Sequence, residues 1–249
     1  MRRSALTLAL AALCLLLLVI CGFLFDFGIK QYKNKSRLHL DPINSSAYSE
    51  KDSVVKDTAK TLVTIFGDSR AALWPTDKVS DTFQFVNRGV GGQTTAQLLL
   101  RFPEDVIDLQ PELVIVQAGI NDLKTIGLFP ERADAIVEEC KANLDAITEL
   151  ALAHGIKLIL MPVLPTGPVP FPRRIFWSDQ IDAAIDTVNT HIRVLSQREN
   201  VELFDPVALI VDSNGLVTPM YQKDFLHLNG RAYELLGQQL EEFLVKITI

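Results

Sequence analysis

Cysteine is scarce in this 249-residue chain, and the three present are poorly placed to hold structure. Cys14 and Cys21 lie in an apolar N-terminal run, so Cys140 has no intradomain partner and no disulfide framework supports the globular part. No His or Cys cluster has metal-ligand spacing, and no cofactor is implied. Histidine is nearly as rare, at four: His39 falls in a polar stretch, His154 at a helix end before Gly155, and His191 in an amphipathic segment. Only His227 lies in a setting that suggests chemistry. The globular part also lacks basic runs and aromatic–basic interleaving. With a net charge of −6 and a pI near 5.3, this argues against a nucleic-acid partner. Gly89-Val90-Gly91-Gly92 fits neither G-x-G-x-x-G nor a Walker A loop, and no Lys-Ser/Thr follows, which removes the nucleotide-binding reading. Internal repeats and low-complexity tracts are also missing.

Long hydrophobic runs are scarce too, with one exception. Arg2 and Arg3 precede an uncharged apolar stretch from Ser4 to Phe25, ended by Asp26. It reaches the roughly 20 residues that cross a bilayer and exceeds the roughly 7–15-residue apolar region of a cleaved signal peptide. Ile20 before Cys21 stands where a lipoprotein signal wants a small residue. Residues 1–25 therefore read as a single-pass membrane anchor, with a cleaved signal peptide and a secreted or periplasmic product as the alternative. Lys30, Lys33, Lys35 and Arg37 follow the span and weigh toward a cytoplasmic domain. A short basic N-terminus ahead of the run favours the opposite placement, and the domain is expected on the extracytoplasmic side. Residues 26–60, rich in Lys, Ser, Asp and Asn, read as a polar linker, and residues 61–249 as the folded domain.

Within that domain short apolar runs alternate with longer amphipathic ones, the pattern of a parallel sheet covered on both faces. Strands are predicted over Leu62–Phe66, Phe83–Asn87, Leu113–Gln117, Lys157–Met161 and Val201–Phe204. Helices are predicted over Thr94–Arg101, Pro130–His154, Ser178–Glu199 and Gly230–Val245. Ile181, Ile185, Val188, Ile192 and Leu195 recur at spacings of 3 and 4 and should face the core. The outcome is an α/β class domain: three layers, α/β/α, around a mostly parallel, roughly five-stranded sheet. Pro162–Trp177, with five prolines and three aromatics, follows the fourth strand and reads as part of a substrate wall or as a stiff surface loop.

Four blocks carry candidate chemistry, in this order: Gly67-Asp68-Ser69 after the first strand, Asn87-Arg88-Gly89 after the second, Gly119-Ile120-Asn121-Asp122 after the third, and Asp224-Phe225-Leu226-His227 before the last helix. A serine hydroxyl is a weak nucleophile until a base takes its proton, and the base needs a third group to orient it. Asp and His three residues apart supply both from one segment. Taken together, the ordered blocks resemble the SGNH (GDSL-type) esterase and lipase family, whose flavodoxin-like fold matches the layers just described. The resemblance implies Ser69 as nucleophile, His227 as base and Asp224 as its orienting partner. It implies an oxyanion hole made of the backbone N–H groups of Ser69 and Gly89 and the side-chain amide of Asn121, with Asp68 and Asp122 bracing the loops behind. Arg70 stands where Leu or Ile is common and Ile120 where a small or polar residue is common, and neither is read as touching the chemistry.

The function expected is hydrolysis of carboxylic esters of small to medium acyl groups through an acyl-enzyme, of the acetylesterase or lipase/lysophospholipase type. The partners are an ester substrate (a small molecule, lipid or acylated glycan) and the membrane. The alternatives are an O-acyltransferase using the same triad on envelope carbohydrate, and a non-catalytic envelope binding protein.

Overall fold

Apolar runs of three to seven residues form five strands in the computed structural model, which describes residues 2–43, 54–76 and 80–248. They are β1 (Thr61–Gly67), β2 (Phe83–Gly89), β3 (Leu113–Gln117), β4 (Lys157–Leu160) and β5 (Val201–Leu203). All pair in parallel, in the order β2-β1-β3-β4-β5. Parallel strands need crossovers, and helices supply them. In chain order the helices are α1 (Arg2–Leu40), α2 (Ser69–Ala72), α3 (Thr95–Asp105), α4 (Ile120–Leu123), α5 (Ala133–Ala153), α6 (Asp179–Leu195) and α7 (Gly230–Thr248).

Because the sheet is covered on both faces, alternate residues of each strand feed two separate cores. Val114 and Val116 of β3 and Leu158 and Leu160 of β4 pack with Leu98, Phe102, Leu144, Ile147, Ile181 and Val188 from α3, α5 and α6. Leu113, Ile115 and Ile159 point the other way, onto Leu236, Leu240 and Leu244 of α7 and Trp74 beyond α2. The predicted stripe on α6 is in place, its five members all buried. The order places the topological switch point between β1 and β3, whose chains leave in opposite directions and open a crevice at their carboxyl ends. Ser69 and Asn121 come from those two ends.

Helices α2 and α4, each a single turn, were not anticipated. Helix α3 runs past its predicted end at Arg101, with Pro103 inside its last turn.

The chain divides into two compact units, residues 1–46 and 47–249. In the first, α1 runs on to Leu40, so residues 26–40 are helical rather than an irregular linker. Good helix formers and an Asp26–Lys30 pair (2.6 Å, i,i+4) sustain it, and Pro42 follows its end. Residues 10–40 are long and apolar enough to cross a membrane. Much of the remaining linker, 44–53, lies outside the described residues. In the second unit, residues 55–57 pack on the domain, with the Asp57 N–H donating to Gln84 Oε1 (2.7 Å) and Lys56 pairing with Glu112 (2.7 Å).

Candidate active site

Gly67 ends β1 with φ +152°, and a Cβ there would fall 2.0 Å from the Gln117 carbonyl oxygen of β3. Only glycine fits that approach, and the chain turns at once into α2. Asp68 caps the helix, accepting the Arg70 N–H at Oδ1 (2.8 Å). Ser69 is therefore the first helical residue, and its own N–H has no intrahelical acceptor.

Residues 222–228 form a tight loop, closed by a bridge between Gln222 and Leu228 and by the Lys223 N–H donating to the His227 carbonyl (2.9 Å). His227 precedes α7 by three residues, and Asn229 caps that helix through the Ala232 N–H (3.1 Å). The loop brings Asp224 and His227 together: Oδ2 lies 2.8 Å from Nδ1. On its other side the imidazole meets Ser69, with Nε2 2.9 Å from Oγ. An ionised carboxylate only accepts, so Nδ1 carries the proton and Nε2 is left to accept from the serine hydroxyl. Burial pushes the Asp224 carboxyl up, but hydrogen bonds from His227 and from the Leu226 and His227 N–H groups outweigh it and hold the group below its ordinary value.

Of the expected oxyanion donors, Gly89 gives way. Its N–H already donates to Asn87 Oδ1 (2.8 Å), and a Cβ on it would strike Ala72 N at 2.1 Å, so its role is to let β2 pass close to α2. The Gly91-Gly92 turn is better placed. Gly91 lines the same cleft as Ser69 and His227, and neither glycine's N–H makes a hydrogen bond among the described residues. Asn121, 3% exposed, sits at the start of α4, one amide N–H on the Gln93 carbonyl (2.9 Å) and Oδ1 accepting from Lys124 Nζ (2.6 Å).

Beneath these loops lie charged groups with no sequence signature. Arg101, paired with Asp105 (2.8 Å), donates to the Gly67 carbonyl (2.9 Å), the Arg88 carbonyl (2.8 Å) and Gln93 Oε1 (2.5 Å), and so joins the ends of β1 and β2 to the turn behind Asn121. Arg70 touches no reacting group, but it is more than a departure from pattern. Its guanidinium donates to the carbonyls of Leu226 (3.0 Å), Leu164 (2.6 Å) and Pro165 (3.2 Å), and the first of these is the residue before His227. Asp122 accepts from the N–H and hydroxyl of Thr95 (2.9 and 2.6 Å), tying α4 to the start of α3. Asp68 is buried and its Oδ2 accepts no hydrogen bond among the described residues. Desolvation, against the pull of Arg70, raises its carboxyl to about 6.

The cleft at Ser69 measures about 300 Å³ and is lined by Ala72, Leu73, Gly91, Lys223, Asp224 and His227. A groove of about 600 Å³ shares Leu73 and Lys223 with it and runs on past Tyr233. The proline-rich segment lines neither. Its first residues are tied down through Arg70 and through the Gly167 N–H on the Phe225 carbonyl (2.7 Å), and it borders a separate groove against α6. The segment also packs on the loop that carries His227, with Trp177 edge-on to Phe225 (5.9 Å between ring centroids) and Arg173 over the same ring (5.4 Å).

Residues 52–235 match the model of the GDSL-like lipase/acylhydrolase family. Among curated proteins, the human platelet-activating factor acetylhydrolase IB subunit alpha2 is 28% identical over 166 residues, 65% of each chain, so the chain spans about two thirds of that relative's length. An uncharacterised lipoprotein of Bacillus subtilis, YqeF, is 28% identical over 141 residues, 52% of this chain and 57% of its own. Among solved structures, a GDSL-like lipase from Bacteroides thetaiotaomicron superposes with a TM-score of 0.64 at 25% identity, covering 83% of this chain and 99% of that one. With a family model spanning the domain and a solved relative over almost its whole length, the chain belongs to the GDSL-like lipase/acylhydrolase family.

Proposed function

We propose that the protein is a serine ester hydrolase, held at a membrane by α1, that works through an acyl-enzyme on Ser69. The observation that carries this reading is the unbroken relay Ser69 Oγ–His227 Nε2, His227 Nδ1–Asp224 Oδ2, at 2.9 and 2.8 Å. Ser69 Oγ attacks the ester carbonyl as its proton passes to Nε2. The oxyanion is met by the Ser69 N–H, the Gly91-Gly92 turn and the free N–H of the Asn121 amide. Collapse expels the alcohol, which takes the proton from His227. Water then enters, loses a proton to Nε2, attacks the acyl carbonyl and releases the acid, returning the proton to Ser69. Asp224 keeps Nδ1 protonated throughout and stabilises the imidazolium.

The cleft at Ser69 and the larger groove beside it suit an ester with one small arm and one larger arm. The name of the human relative makes acetyl the acyl group to test first. The proposed placement has α1 as the anchor and the catalytic unit on the extracytoplasmic side, and the apolar length of residues 10–40 supports the anchor. Aryl acetate and aryl octanoate hydrolysis by the full chain in detergent tests the reading. Ser69→Ala and His227→Ala should each remove nearly all turnover with the fold intact, and the double variant should lose little more, because the triad acts as a unit. Full activity in either single variant refutes the assignment. An acetate rate well above the octanoate rate supports a small acyl pocket. Acyl transfer to an added sugar alcohol that outruns hydrolysis would replace hydrolase with O-acyltransferase.

A further inference from the structure

We propose that Lys124 is a positioning residue of this site: its ammonium fixes the orientation of the Asn121 amide and polarises it, so that the amide offers a strengthened N–H to the tetrahedral intermediate. The inference rests on the reading of Asn121 as an oxyanion donor and assigns a role to a side chain three residues further on that no motif marks.

The geometry leaves one arrangement. A lysine ammonium only donates, and it stands 2.6 Å from Asn121, so the atom it meets is the amide oxygen. The amide nitrogen then faces the Gln93 carbonyl at 2.9 Å. Turning the amide over would set its NH₂ against the ammonium and its oxygen against a carbonyl, two repulsive contacts in a buried site. One N–H is spent on Gln93 and the second is left for a ligand. Without Lys124 only the Gln93 carbonyl opposes the flip, and an inverted Asn121 would turn an acceptor toward a developing negative charge.

The charge matters as well as the direction. Lys124 is half-buried, and among the described residues its ammonium forms no salt bridge; its hydrogen bond is made to a neutral amide. A cation held out of water without a salt-bridged carboxylate is costly, and here the buried Asp68 carboxylate offsets its field only in part. Withdrawal of density through Oδ1 strengthens the N–H donors on the same amide, as in other hydrogen-bond chains. Burial, helped by Arg173 and Arg70, draws the Lys124 ammonium below its ordinary value, while the Asp68 carboxylate opposes this. The positive field is of most use when the oxyanion forms, which makes the effect one on turnover rather than on substrate binding.

The experiment is a double-mutant cycle on the full chain, reading kcat and KM for aryl acetate hydrolysis. Variants are Lys124→Met, Lys124→Gln, Lys124→Arg, Asn121→Ala and the Asn121→Ala/Lys124→Met pair, with thermal unfolding as the folding control. Loss of an oxyanion donor costs about 10²–10³ in turnover, and a group acting through that donor should cost a fraction of it, about 10-fold for Lys124→Met with KM changed less than about twofold. Lys124→Gln can still donate to Oδ1 but carries no charge, so it should fall between wild type and Met. It also keeps the test alive should the Met variant fold poorly. Lys124→Arg should recover most of the rate. In the Asn121→Ala background, removing Lys124 should cost less than about twofold, because its route to the oxyanion is gone. An equal loss in both backgrounds overturns the proposal, as does an unchanged kcat in Lys124→Met while Asn121→Ala is impaired; in both cases the oxyanion reading stands. An unchanged kcat in Asn121→Ala would overturn the oxyanion reading and the inference together.

Discussion

Replacing Arg70 by Met tests whether the base of the relay is held by a buried cation. The side chain is 2% exposed and its guanidinium serves the carbonyls of Leu226, Leu164 and Pro165. Met fills a similar length of cavity and offers no donor, so three inward-facing carbonyls lose their partner. Hydrogen bonds to a charged group contribute about 1.5–3 kcal/mol each. Part of that sum is offset, because the variant no longer holds a guanidinium out of water, a cost of several kcal/mol that also draws the Arg70 pKa down. The balance is a destabilisation of about 2–4 kcal/mol, in line with breaking other buried charged contacts. Equilibrium urea unfolding would measure it, followed by tryptophan emission, since Trp74 and Trp177 both lie in the catalytic unit. The second readout is turnover. Leu226 is bonded to His227, so release of its carbonyl frees the imidazole to drift. A misplacement of about 1 Å costs on the order of 10²-fold in rate, and a kcat lowered between 10- and 100-fold is expected. The Arg70→Lys variant keeps a cation that reaches fewer of the three carbonyls, and it should lose less of both. A variant that loses stability but keeps kcat within twofold would refute the link from this brace to the base. One that keeps both would refute the brace.

Two further outcomes follow from the same loops. The unfolded Asp68 carboxyl ionises around its ordinary value, whereas the buried one does so at about 6, so the native state holds the extra proton between these values and loses stability as pH rises through that window. Wild type should therefore lose about 2 kcal/mol between pH 4 and 7 relative to Asp68→Asn, and identical pH slopes in urea unfolding would contradict this. Gly89→Ala would drive a Cβ into the backbone of α2 and should cost about 2–3 kcal/mol and most of the activity. Gly91→Ala meets only Ser69 Cβ, at an ordinary 3.8 Å, and should keep its melting temperature.

The parts of the fold that were legible in the sequence are those where burial alternates with chain period. The five apolar runs became strands because each is covered on both faces, and the stripe on α6 became its core face. The contact of Ser69, His227 and Asp224 was legible because its determinants are local: Asp224 and His227 share one turn, and Ser69 follows a strand. What could not be read depends on backbone atoms. Arg70, Arg101 and Lys124 act on carbonyls and an amide brought near by the sheet order, and no residue spacing encodes a carbonyl's position. The Gly89 assignment failed for a related reason. Every glycine after β2 offers an N–H, and only the reach of Asn87 back to Gly89 shows which one is already used. The helical continuation to Leu40 was missed because its polar residues suggest a linker, although Lys, Gln, Arg and Leu all propagate a helix well.

The loop that carries Asp224 and His227 is knitted to itself, since one carboxylate oxygen accepts from the N–H groups of Leu226 and His227 while the other holds the ring. Carboxylate and imidazole thus travel as one cartridge. A disturbance elsewhere cannot separate them easily; it can only slide the pair, still correctly matched, toward or away from Ser69. The adjustable element of this machine is a single gap, the 2.9 Å between imidazole and hydroxyl, and distant changes should tune the readiness of the serine while leaving the character of the base alone.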